Sequence, residues 1–64
     1  MIHLTINKTE KTVSIAGIGF KDVFEYTSWY IPDRDNFIDL IVLEDKKEKQ
    51  IKLPVHNTIV IIKE

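Results

Sequence analysis

Cysteine is absent from this chain of 64 residues. Disulfides and thiolate metal sites are thereby excluded, although small scaffolds often depend on such staples. Glycine and proline occur only twice each, so there are few places where the chain can break or reverse freely. No sign of charge dominates: nine basic residues stand against ten acidic ones. A duplex-binding protein normally carries a basic excess, because phosphate neutralisation supplies most of its affinity. No apolar run approaches the roughly 18 residues of a membrane span. The start, Met1 to Lys8, lacks the basic and apolar regions of a signal peptide. With no export signal and no cysteine, the expected setting is cytoplasmic.

What is present is patterned apolar sequence. At 44% hydrophobic the chain is too apolar for a disordered segment. Its length fits a single small domain over residues 1–64. A chain this short buries only about 60% of its unfolded surface, so its stability is marginal.

Alternation with a period of two marks half-buried strands. Ile2, Leu4 and Ile6 share one face of a first strand over 2–6, and Val13 and Ile15 one face of a second over 12–16. The polar residues 7–11 between them read as a hairpin turn. Gly17 and Gly19 mark a bend. Phe37 to Leu43 is apolar on both faces except at Asp39, which suits a central strand. Glu44 to Glu48 reads as a charged hairpin loop, 49–53 as a strand with Ile51 and Leu53 inward, and 58–63 as a last apolar strand.

Residues 20–31 fit two readings. As a strand, Val23, Glu25, Thr27, Trp29 and Ile31 face one way and Phe24, Tyr26, Ser28 and Tyr30 the other. As a helix over 22–31, Phe20, Val23, Phe24, Thr27, Tyr30 and Ile31 form a stripe, Asp22 and Glu25 cap its start, and Pro32 stops it. The β-branched and aromatic composition favours the strand.

The expected fold is therefore all-β, a small five- to six-stranded antiparallel barrel or rolled sheet. The Pro54–Asn57 turn ahead of a final strand resembles the end of SH3-like and Sm-like barrels, in pattern only, since the glycine-containing Sm signature is absent. The alternative is an α+β arrangement in the order ββαβββ, which resembles the β-grasp of ubiquitin-like proteins but has no terminal diglycine.

Catalytic constellations fall short. Ser14 and Ser28 lie in strand-like patterns without a nucleophile elbow, and His3 and His56 are the only bases that titrate near neutrality. Those two histidines lack the further ligands that a metal would need. Acids at 33, 35, 39 and 44 imitate a calcium loop, but Ile38 stands where its turn requires glycine. Gly17-Ile18-Gly19 lacks the third glycine of a dinucleotide loop. The expectation is a non-enzymatic chain with no catalytic residues, no metal and no cofactor.

The aromatic run Phe20, Phe24, Tyr26, Trp29, Tyr30 is the strongest functional signal. Tyr, Trp and Arg are the usual anchors of protein interfaces. Tyr26, Trp29, Tyr30 and Arg34 are the candidate partner-binding residues. The leading expectation is a small protein-interaction module, an adaptor, inhibitor or regulator, for a protein partner that the sequence does not identify. Self-association through the apolar strands 40–43 and 59–62 is expected with it. The alternative is a single-stranded nucleic-acid-binding small barrel, with Tyr26, Trp29 and Tyr30 stacking on bases and Lys46, Lys47, Lys49 and Lys52 near phosphates. Balanced charge makes nucleic acid the weaker choice.

Overall fold

The structure is a computed structural model, and residues 1–33 and 36–64 are described. Six strands follow in order: β1 (Ile2–Asn7), β2 (Thr12–Gly17), β3 (Phe20–Tyr30), β4 (Phe37–Glu44), β5 (Lys47–Pro54) and β6 (Thr58–Lys63). A single 3₁₀ turn, Val55–Asn57, separates β5 from β6. The fold is all-β. The helix over 22–31, and with it the β-grasp order, is overturned, because Phe20–Tyr30 is one extended strand. Its Val, Phe, Tyr, Thr and Trp side chains pack on a pleated surface without the rotamer loss a helix would impose.

The strands form one sheet in the order β5-β4-β3-β2-β1-β6. Five of them are a simple antiparallel meander. The sixth corrects the antiparallel expectation: β6 lies parallel to β1, from Ile2 opposite Thr58 to Asn7 opposite Lys63. Lys8 N–H donates to the Lys63 carbonyl at 2.8 Å and extends that ladder.

The sheet is rolled but not closed. Six strands about 4.8 Å apart would hold the edges about 24 Å apart in a flat sheet. The chain from Pro54 to Thr58 can reach at most about 14 Å. The sheet must therefore curl until its edges approach. About 20–25° of twist at each strand interface turns β6 more than about 90° from β5, which lets a one-turn connector join them. The connector is pinned: Val55 N–H donates to the Asn36 carbonyl at 3.2 Å, and Thr58 Oγ1 donates to the Pro54 carbonyl at 2.7 Å.

The concave side of the roll is the core. Leu4, Ile6, Val13, Ile15, Ile38, Leu40, Val42 and Leu53 are buried there. They are alternate residues of β1, β2, β4 and β5, as a period of two dictates. No polar or charged residue is buried among the described residues.

Turn chemistry sets the hairpins. Asp45 and Lys46 both have positive φ, 52° and 66°, between the paired Glu44 and Lys47. That is a two-residue type I′ turn, tighter than the charged loop expected over 44–48. Gly19, at φ 82°, follows Ile18 in the β2–β3 turn and supplies the positive φ of a type II turn. Gly17 faces Phe20 across the hairpin, and a Cβ at Gly17 would run into the Phe20 ring. Asn7 Oδ1 accepts the Glu10 N–H at 2.9 Å and shapes the β1–β2 turn.

Candidate interaction surface

The aromatic run is divided by a β-bulge. Tyr26 pairs with Val42 and Ser28 with Ile41, so Thr27 has no partner residue of its own. The extra residue reverses the phase of the strand. Up to Tyr26 the even-numbered residues face the core. Beyond Thr27 the odd-numbered ones do, with Trp29 opposite the buried Leu40. The Thr27 hydroxyl lies 3.3 Å from the Ile41 carbonyl and 3.4 Å from Glu48 Oε2, and its single proton serves one acceptor at a time.

This geometry separates the candidate residues. Tyr26 and Trp29 are half-buried and pack against the core, together with Phe24 and Ile31. Tyr30, opposite Asp39, points to the outer face and is 63% exposed. Arg34 lies outside the described residues.

Tyr30 has company that the sequence reading did not assign to it. Phe37 is 55% exposed and lies two residues from Asp39 on the same face of β4. It is thus the diagonal neighbour of Tyr30, about 7–8 Å away between Cα atoms. Pro54 is directly opposite Phe37 on β5. The next outer row is polar: Asp39 is opposite Lys52, and Asp39 Oδ1 accepts from Gln50 Nε2 at 3.0 Å. The result is a small apolar patch bordered by an ordered polar row. The alternation Phe37, Asp39, Ile41, Leu43 was the signal that could have placed Phe37 outside.

The lysines of β5 are dispersed. Lys49 lies opposite the buried Val42, on the core-facing side, where Nζ is 3.7 Å from Glu44 Oε1 and 5.9 Å from the centre of the Phe24 ring. Lys52 projects from the outer face. His3 and His56 are both exposed. Among the described residues there is no pocket and no cluster of three or more potential metal ligands. No helix among them is long and apolar enough to cross a membrane.

The sheet and its outer patch define a small all-β domain of open, rolled architecture. No family model, curated protein or solved structure matches the chain.

Proposed function

We propose that this chain is a small, non-catalytic protein-interaction module, an adaptor, inhibitor or regulator, and that it contacts its protein partner through the outer face around Tyr30 and Phe37. The exposed aromatic pair supports this reading most strongly. Two large rings stand side by side on the solvent face of a sheet whose concave side already has a full apolar core. Rings of this kind bury much surface at low entropic cost, and the Asp39–Gln50 polar row borders them on one side, like part of the polar rim of a typical interface. A cytoplasmic setting belongs to the same reading, and the cysteine-free composition fits it.

The test is affinity capture from the native extract with the wild-type chain and with the double variant Tyr30→Ala, Phe37→Ala. The expected result is a partner retained by the wild type and lost by the double variant, with identical circular dichroism for the two proteins. Equal capture by both would remove this face from the function.

A further inference from the structure

The two free edges of the sheet are unlike in chemistry, and β6 carries the apolar one. Ile59, Val60, Ile61 and Ile62 run consecutively, and Ile59, Ile61 and Ile62 are each exposed by more than two-fifths. The strand has no proline, glycine, bulge or charge before Lys63, and these are the usual devices that protect an edge. β4, which holds the other apolar run at 40–43, is paired on both sides and offers no backbone groups.

The directions of the free backbone groups follow from two hydrogen bonds. The Lys63 carbonyl accepts from Lys8 and so points toward β1. Backbone groups alternate sides along a strand, so Ile59 and Ile61 also point toward β1, while Val60 and Ile62 point to the open edge. Thr58 agrees: its N–H turns away from β1 and donates to the Val55 carbonyl. The open edge therefore presents the N–H and C=O of Val60 and of Ile62.

We infer that β6 pairs with β6 of a second copy of this chain, antiparallel, about a two-fold axis through Ile61. In this register Val60 of each copy lies opposite Ile62 of the other, and all the open N–H and C=O groups of both residues are satisfied. A register centred on Val60 opposes the Thr58 N–H, which is already spent, and one centred on Ile62 sets Val60 against Glu64, beyond the end of the strand. Ile61 meets its symmetry mate on the outer face. Lys63 lies opposite Ile59, so no like charges face one another across the axis. Ile62, on the core-facing side but 45% exposed, gains the cover it lacks in a single chain. Antiparallel pairing of one strand with itself is self-complementary, as an isologous two-fold interface requires. A second copy therefore fits this edge without any further adaptation. The inference is independent of the Tyr30–Phe37 face, which a monomer would still present.

Sedimentation of the wild type should give twice the chain mass, falling to the single-chain mass on dilution. Ile62→Pro removes an edge-facing N–H without removing a bond inside the chain, and should sediment as a folded monomer at concentrations where the wild type is dimeric. Ile61→Lys sets two lysines face to face at the axis and should do the same. The register has its own readout, because the chain contains no cysteine. In a non-hydrogen-bonded antiparallel pair the Cα atoms lie about 4.5 Å apart, within disulfide reach. Ile61→Cys should thus form a covalent dimer on oxidation, whereas Ile59→Cys should not. A wild type that stays monomeric to about millimolar concentration would overturn the inference, even if it captured a foreign strand. Dimers that survive Ile62→Pro and Ile61→Lys, or equal cross-linking at 59 and 61, would overturn it too.

Discussion

Trp29 and Tyr30 are neighbours in the chain, yet they occupy opposite worlds. Trp29 packs against the core opposite Leu40, and Tyr30 stands on the outer face beside Phe37. The same contrast divides β4, where Ile38, Leu40 and Val42 are fully buried while Phe37, between Asn36 and Ile38, is exposed. Large apolar side chains in one hairpin thus do two different jobs. Those facing inward supply the hydrophobic free energy of a marginal domain. Those facing outward contribute little to stability and remain available for contact.

Substitution can break or sharpen this contrast. The largest effect is expected on the inner face. Leu40→Ala should cost about 2–5 kcal/mol, from lost transfer free energy and the cavity left behind, measured by urea unfolding. A domain of this size has little more than that to lose, so the variant is expected to be largely unfolded at 37 °C. A smaller effect, of opposite sign, is expected at the type I′ turn that sets the register of β4 on β5. Lys46→Gly relieves a left-handed conformation at φ 66° and should raise the unfolding midpoint by an amount equivalent to about 0.5–1 kcal/mol. The smallest effect is expected on the outer face, where Phe37→Ser should stay within about 0.5 kcal/mol of the wild type in the same assay.

Much of this was legible in the sequence, for reasons that also explain what was not. Alternation placed β1, β2 and β5, because burying one face of a strand imprints a period of two, and continuous apolar runs placed β4 and β6. It named Leu4, Ile6, Val13, Ile15 and Leu53 as inward. It did not reveal that β6 adds parallel to β1, since alternation records which face is buried and not which strand lies alongside. The Asp45–Lys46 turn carries neither Gly nor Asn, so its tight geometry left no signature. The bulge was the costliest omission. A single unpaired residue at Thr27 shifts the phase of everything after it, so an unbroken period of two puts Trp29 and Ile31 on the wrong side. Of the candidate interface, Tyr30 lies on the outer face, whereas Tyr26 and Trp29 lean on the core. Phe37 went unassigned because its strand is apolar on both faces except at Asp39, so the apolar run by itself did not show which face Phe37 occupies.

The division of the aromatic run at Thr27 is the claim on which the surface depends, and paired unfolding measurements on Trp29→Ala and Tyr30→Ala test it most directly. Loss of the half-buried indole should cost about 2 kcal/mol or more, and loss of the exposed phenol less than about 0.5 kcal/mol. Equal losses, or a larger loss at Tyr30, would contradict the account.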